Sequence, residues 1–352
     1  MKQDSTIVFS SSAIGNTHLA KKLPNQDSVG YWVAPDGIHF CVAISDGHGS
    51  SSHPYSDVGS SQAVEISIQV FKECFQRNHS DIDPSLLFKE IICRWSEKCI
   101  SHYQSLGLGD TLSSESTIKL YGATLCISYV WKDSITVASI GDSTVFYRNH
   151  SGLYSKFLIS DDTLGETTFS LCQSDPLTRL EVAHLPYSTG IILLSTDGVI
   201  KSLRSSSDYA LIADYYLGLI STDTSPPAIS CDLLAQLESF SRDGSGDDCT
   251  LAIVYIPASV ISSSSESTIF DDNTLSLDFS SSCPEIKIKK KEPKLGSLLP
   301  LILAVLTAFL LISFSLYKPL RSRILLLIRD SLCGNIPRTM VTQPPLLLTR
   351  GR

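Results

Sequence analysis

Short acidic motifs recur along the first 257 residues of this chain, and each stands beside an apolar run. Carboxylates at five places have this arrangement: Asp27, Asp46, Asp142, Asp197 and the pair Asp247-Asp248. Several of them precede or follow a glycine, which permits a tight turn and a close backbone approach. We therefore expect these side chains to form one acidic cluster in the folded protein.

Crowded carboxylates repel one another, and hard divalent cations with oxygen ligands neutralise them best. Two such ions ~3.5–4 Å apart share a carboxylate and a hydroxide, which is a strong nucleophile toward a phosphoryl group. A single Asp-Gly is also compatible with a plain surface turn, and we interpret Asp36-Gly37 that way. The other motifs differ because each one abuts an apolar run.

The elements that position these motifs are predicted from the apolar runs. Five strands are predicted at 38–45, 122–129, 135–140, 191–195 and 251–256. One helix is predicted at 58–77, and a second begins at Pro84 with Asp83 as its N-cap. The apolar residues of the second helix follow helical spacing: Phe88, Ile92, Trp95, Cys99 and Tyr103. The connection at 130–134 is of hairpin length, so we predict an α+β fold with antiparallel sheets.

Composition divides the chain into a folded domain and a C-terminal region. Residues 1–257 form the predicted domain, and residues 258–294 are a Ser-rich then Lys-rich segment predicted to be a disordered tether. Residues 295–317 carry no charge, and at ~1.5 Å per residue they are long enough to span ~30 Å of hydrocarbon. We predict a transmembrane helix there, with a buried core helix as the alternative, followed by a basic tail at 318–352.

The net charge, the cysteine spacing and the N-terminal sequence limit the classes of protein to which this chain could belong. A net charge of −8 argues against a nucleic-acid binder whose affinity depends on a basic surface. The ten cysteines include no CxxC pair, which fits a reducing compartment rather than a zinc ribbon or a disulfide scaffold. The first 22 residues contain no long apolar stretch, so no secretory signal is predicted. We expect a single-pass membrane protein with its N-terminal part in the cytoplasm.

Six short stretches occur in the order found in the metal-dependent serine/threonine phosphatases of type 2C. They lie at 25–27, 46–49, 122–124, 141–143, 195–198 and 247–250. The chain resembles this family over roughly residues 15–255, and Gly-Asn-Thr-His at 15–18 is similar to a bacterial branch. The resemblance implies a four-layer αββα sandwich, in which two antiparallel sheets are flanked by helices and the metal site lies at one end.

The resemblance also implies a dinuclear site for Mn²⁺ or Mg²⁺. Asp46 would bridge the two ions, and the carbonyl of Gly47 would complete one coordination sphere. Asp197 and Asp248 would hold the other ion. Asp142 together with Asp197 would be candidates for a third, weaker ion.

The remaining implied roles concern water, proton and phosphate. Asp27 would act through metal-bound water. His48 matches a histidine that some members use as the general acid that an alkoxide leaving group needs, and a solvent-facing turn residue is the alternative. The family usually places a phosphate-gripping arginine where this chain has Lys22, which lacks the bidentate fork. His18 is a second candidate for phosphate, and an exposed lysine at a helix end is the alternative for Lys22.

These observations together predict a membrane-anchored protein-serine/threonine phosphatase. It would hydrolyse phosphoserine and phosphothreonine through a hydroxide activated by two Mn²⁺ or Mg²⁺ ions. The expected partner is a phosphoprotein near the membrane, either a kinase or the target of a kinase. Two alternatives stay open: a catalytically weak family member that binds phosphoproteins as a scaffold, and a hydrolase of small phosphomonoesters.

Overall fold

The structure, a computed structural model, describes residues 5–77, 82–108, 112–132, 134–149, 152, 154–157, 168–205, 207–222 and 224–258. All of them lie in the first of two compact units, which comprises residues 1–272. The predicted tether, transmembrane helix and basic tail lie outside the described residues, apart from Ala258. No helix within these ranges is long and apolar enough to cross a membrane.

The described residues form ten strands and seven α-helices. The strands are β1 (Ile7–Ala13), β2 (Asp27–Val33), β3 (Phe40–Asp46), β4 (Leu125–Trp131), β5 (Ser134–Ile140), β6 (Thr144–Asn149), β7 (Tyr154–Phe157), β8 (Glu181–Pro186), β9 (Gly190–Ser195) and β10 (Cys249–Ile256). The helices are α1 (Asn16–Lys21), α2 (Ser56–Gln76), α3 (Pro84–Ser105), α4 (Ser114–Lys119), α5 (Asp197–Ser202), α6 (Asp208–Ser221) and α7 (Pro226–Phe240).

The strands form two antiparallel sheets of five strands each. One sheet has the order β1-β10-β9-β6-β7, and the other has the order β2-β3-β4-β5-β8. The helices α2 and α3 cover the second sheet, whereas α6 and α7 cover the first. This arrangement confirms the predicted α+β class, and it matches the sandwich of antiparallel sheets with flanking helices that the family resemblance implied.

Three apolar clusters hold the layers together. In β3, Phe40, Val42 and Ile44 face the cluster between the two sheets. The alternate residues Cys41 and Ala43 face the cluster formed with α2 and α3. Because the inner strands of both sheets bury both faces, their sequences are continuous apolar runs rather than alternating patterns.

Helix α3 follows the sequence prediction closely. The Asp83 carboxylate accepts hydrogen bonds from the backbone N–H groups of Ser85 (2.7 Å) and Leu86 (3.0 Å), as an N-cap should. Its buried face consists of Leu87, Phe88, Ile91, Trp95, Cys99 and Tyr103. Ile92, which the spacing placed on this face, is only partly buried at its border. The Trp95 Nε1–H donates to the carbonyl of Gly59 in α2 (2.9 Å), which ties the two helices together.

Candidate metal centre

The acidic motifs meet at one edge of the sandwich because antiparallel strands alternate their ends there. β2 begins at Asp27 and β3 ends at Asp46, and these two residues face each other in register. In the other sheet, β9 ends two residues before Asp197, and β10 begins directly after Asp248. The sheet topology therefore gathers motifs that are far apart in the sequence.

These strand ends line a cavity of about 190 Å³. The lining residues are His18, Gln26, Asp46, Gly47, His48, Gly49, Thr124, Asp142, Thr168, Asp197, Lys201, Asp247 and Asp248. Seven of the predicted site residues are among them. Asp27 and Lys22 do not line the cavity.

Close backbone packing fixes the Asp46-Gly47 turn. The Asp46 N–H donates to the hydroxyl of Thr124 (2.9 Å), and the Thr124 N–H donates to the Asp46 carbonyl (2.8 Å). The Gly47 N–H donates to the carbonyl of Gln26 (3.0 Å). A Cβ at Gly47 would lie 2.6 Å from the Ser56 carbonyl oxygen, so a larger residue would push α2 away from the turn. Only glycine therefore holds Asp46 in this position.

Asp27 does not line the cavity. Its side chain is buried, and its Oδ2 accepts a hydrogen bond from the hydroxyl of Thr196 (2.7 Å). Burial raises the pKa of Asp27 to about 8, although hydrogen bonds from Thr196 and Thr250 act in the opposite direction. The negative charge of Asp248 adds to the increase. Asp27 is therefore a buried neighbour of the acidic residues and not part of the cavity lining.

Two cavity carboxylates are poorly stabilised as anions. Burial raises the pKa of Asp46 well above its usual value, and Asp27, Asp197 and Asp142 act in the same direction. Burial also raises the pKa of Asp197, where Lys201 opposes the shift and Asp142 adds to it. The cavity thus concentrates negative charge that an additional cation would stabilise.

Lys201 is a cavity residue that the sequence analysis missed. Its Nζ lies 2.6 Å from Asp197 Oδ2 and 3.2 Å from Asp247 Oδ2. Burial lowers the pKa of Lys201, but the two carboxylates more than offset that effect and leave the pKa raised. The spacing carried a signal, because a lysine four residues after the first residue of a helix lies on the same face as that residue.

Asp247 and Asp248 have different surroundings. Asp248 Oδ1 accepts the Gly15 N–H, and Oδ2 accepts the Gln26 N–H (2.6 Å) and lies 3.0 Å from His18 Nδ1. Asp248 therefore contacts two neighbouring segments, the start of α1 and the residue before β2, through both carboxylate oxygens. The more exposed Asp247 side chain instead contacts Lys201 across the cavity.

The residues predicted to bind phosphate or to donate a proton differ in whether they line the cavity. His18 lines the cavity through α1, whereas Lys22 is exposed and ends that helix with a left-handed φ of 57°. His48 lies beside His53, with ring centroids 5.3 Å apart. Burial lowers the pKa of His48 to about 4, His53 acts in the same direction, and Asp197 opposes them. In the free site, His48 is therefore neutral at pH 7.

The donor set has the chemistry that Mn²⁺ and Mg²⁺ prefer. Five of the thirteen lining residues are aspartates, and the buried Oε1 of Gln26 has no hydrogen-bond partner among the described residues. Within those same residues, no three His, Cys, Asp or Glu side chains already converge as a ligand group for one ion. The residues thus fit hard divalent ions by type.

Several solved structures are similar to this chain. One is the serine/threonine phosphatase of S. agalactiae, at 16% identity and a TM-score of 0.47, covering 72% of this chain and 100% of that one. A second is Stp1 from Staphylococcus aureus, at 16% identity and a TM-score of 0.45, covering 72% and 94%. A third is the catalytic domain of PstP in complex with two manganese ions, at 13% identity and a TM-score of 0.45, covering 71% and 97%. No curated protein matches the chain.

A family profile also matches, and it covers more than half of the chain. The profile is that of Protein phosphatase 2C, and it matches residues 14–238. The match includes the cavity residues from His18 through Lys201. The pair Asp247-Asp248 lies beyond the matched range.

Proposed function

This chain belongs to the protein phosphatase 2C family of metal-dependent serine/threonine phosphatases, and we propose that it hydrolyses phosphoserine and phosphothreonine in proteins with two Mn²⁺ or Mg²⁺ ions. The observation that supports the dinuclear site is the concentration of carboxylates in one cavity. Asp46, Asp142, Asp197 and Asp247 all line it, and their repulsion adds to burial in raising the pKa of Asp46. A cavity lined by several carboxylates prefers hard divalent cations, which bind oxygen ligands, to other common metal ions.

The proposed ligands follow from which oxygens remain accessible. Asp46 and the carbonyl of Gly47 stand at the turn after β3, and Asp197 stands at the start of α5. We assign the next ligand to Asp247 rather than Asp248, because both Asp248 oxygens already accept hydrogen bonds from backbone N–H groups. Asp142, whose Oδ2 accepts a hydrogen bond from Thr168 (3.1 Å), is the candidate for a third, weaker ion.

The ions, when bound, supply charge neutralisation and an activated water as the nucleophile. Asp27 would act on them through water, because it is buried and does not line the cavity. His48 would donate the proton that the serine or threonine alkoxide needs. A substrate phosphate dianion would raise the pKa of His48 from its low value, so we expect proton uptake to accompany substrate binding. Toward that phosphate, His18 would use Nε2, since its Nδ1 contacts Asp248. Lys22, which is exposed outside the cavity lining, would attract the phosphate only as a point charge from the surface.

The test measures phosphate release from a phosphothreonine peptide by the full-length protein, with and without Mn²⁺. We expect metal-dependent turnover that Asp46→Asn lowers by at least ~10²-fold, which is the scale of lost metal-charge stabilisation. Asp243→Asn is the matched control, because this exposed carboxylate pairs with Arg242 outside the cavity. Turnover that needs no metal, or that survives Asp46→Asn, would contradict the proposal.

A phosphoprotein-binding scaffold is the second candidate function. Lys201 favours it, because an ammonium that neutralises two cavity carboxylates is what a site without metal would retain. The same assay separates the two functions: a scaffold binds the phosphopeptide without turnover. Faster hydrolysis of small phosphomonoesters than of any phosphopeptide would favour the small-molecule alternative.

The proposed location is a membrane, with the phosphatase domain in the cytoplasm. The uncharged segment at 295–317 supports a single span, and the lysines that precede it at 287 and 289–291 suit the anionic cytoplasmic face of a membrane. Substrates near the membrane, such as a kinase or its target, would then be within reach of the tether at 258–294.

A further inference from the structure

Lys201 occupies a special position in the acidic cavity. It lies near the end of the six-residue helix α5, and Asp197 begins that helix. The Lys201 ammonium bridges Asp197 Oδ2 and Asp247 Oδ2 at 2.6 and 3.2 Å. We propose that Lys201 is a tethered counter-cation that competes with divalent metal ions for these two carboxylates and so sets the metal affinity of the site.

Charge balance explains why the lysine lies there. Among the described residues that line the cavity, Lys201 is the one with a permanent positive charge, against five aspartates. Its ammonium lies within ion-pair distance of both Asp197 and Asp247. The ammonium therefore stabilises the ionised carboxylates that a metal ion would also need.

Because the ammonium of Lys201 lies so close to Asp197 Oδ2, it competes with a metal ion for this oxygen. Mg²⁺ binds carboxylate oxygens at ~2.0–2.1 Å. An ion on Asp197 Oδ2 would thus lie within about 5 Å of the ammonium as it stands, where two positive charges repel strongly. The metal and Lys201 therefore cannot both hold this oxygen without a loss of affinity.

The lysine is able to leave. Its side chain is half exposed, whereas that of Asp197 is mostly buried. Four methylene groups allow the ammonium to swing into solvent while the carboxylate stays in place. The competition is thus reversible, and it rests on the proposed function, because it concerns the metal ligands assigned there.

The experiment titrates metal-depleted, full-length protein in detergent with Mn²⁺ by isothermal titration calorimetry. We expect Lys201→Met to tighten the Mn²⁺ dissociation constant by about 10-fold, or ~1.4 kcal/mol, because the competing charge is gone. Lys201→Arg, which keeps the charge, should remain near the wild type. Lys119→Met is the matched control, since Lys119 forms the same i,i+4 pair with exposed Glu115 away from the cavity.

Thermal melting in EDTA and in saturating Mn²⁺ provides a second readout. Lys201→Met should melt lower than the wild type in EDTA and gain more from Mn²⁺. Lys201→Gln should behave in the same way, and it keeps the test available if Lys201→Met does not fold. Mn²⁺ binding that is unchanged or weaker in both neutral variants would overturn the role of Lys201 alone. A complete lack of Mn²⁺ binding in every variant would overturn the metal-dependent function as well.

Discussion

Asp247 and Asp248 are adjacent in the sequence, yet their carboxylates meet different partners. Asp248 accepts hydrogen bonds from the Gly15 and Gln26 backbones and contacts His18, so its oxygens hold the protein together. Asp247 contacts the ammonium of Lys201, whose side chain is half exposed. A carboxylate whose oxygens already accept backbone hydrogen bonds is a poor metal ligand. A carboxylate with an oxygen that contacts a lysine side chain remains available to a metal ion.

Substitution by asparagine separates these two roles. Asp248→Asn should lower the free energy of unfolding by about 1–3 kcal/mol, because an amide nitrogen would face one of the buried backbone N–H groups. Asp247→Asn should leave stability nearly unchanged and weaken Mn²⁺ binding. Urea denaturation in EDTA and Mn²⁺ calorimetry measure the two effects. The reverse pattern would return the ligand role to Asp248.

His48 has its own test, which depends on the basicity of the leaving group. A serine alkoxide needs protonation, whereas p-nitrophenolate, which is far less basic, hardly does. His48→Gln should therefore reduce turnover of a phosphoserine peptide by roughly 10–10³-fold and turnover of p-nitrophenyl phosphate much less. Equal losses on both substrates would indicate disturbed metal geometry instead. Unchanged turnover of both substrates would show that His48 is a turn residue without a catalytic role.

The sequence predicted most of the cavity at the level of residues. Asp46, Asp142 and Asp197 carry glycine or strand-end signals that mark them individually. Lys201 carried only a spacing signal, since its role depends on Asp247, which lies 46 positions away and meets it only in the folded chain. Lys22 was selected by its position relative to Asp27, but the left-handed turn there leaves it exposed outside the lining.

At the level of elements, burial decided what the sequence revealed. The inner strands β3, β4, β9 and β10 bury both faces, so their apolar runs were visible. Helices α6 and α7 were missed, and α6 shows why. Helix α6 is apolar around much of its circumference, and Leu211 and Tyr215 are exposed. Its sequence therefore lacks the alternation of apolar and polar faces by which an amphipathic helix is recognised.

Helix α3 allows a prediction that is independent of the cavity. Asp83→Ala should destabilise the protein by ~1 kcal/mol, because two backbone N–H groups at the start of the helix lose their acceptor. Asp83→Asn, which retains an accepting oxygen, should cost much less. Chemical denaturation measures both, and the metal-dependent turnover at low denaturant should stay at the wild-type level. A loss of turnover in Asp83→Ala without a loss of stability would contradict this separation.

The whole molecule is expected to combine a soluble phosphatase domain with a membrane anchor. The full-length protein should remain in the membrane pellet after carbonate extraction, because an uncharged segment of this length spans the hydrocarbon core. A chain ending at residue 258 keeps both sheets and every cavity residue, so it should be soluble and active. Recovery of the full-length protein in the supernatant would refute the span. Protease protection of the domain in cytoplasmic-side-out vesicles would refute the orientation.

The pairing of β1 with β10 has a consequence for the synthesis of this protein on the ribosome. The contact between Gly15 and Asp248 spans 233 positions, so the first strand and the cavity wall wait for the last strand to emerge. At ~5–20 residues per second, that wait lasts on the order of 10–50 s. A nascent chain that has not yet exposed β10 therefore carries no assembled cavity. We therefore expect a message cut short before the codon for residue 247 to yield an inactive fragment, because it lacks Asp247, Asp248 and the last strand.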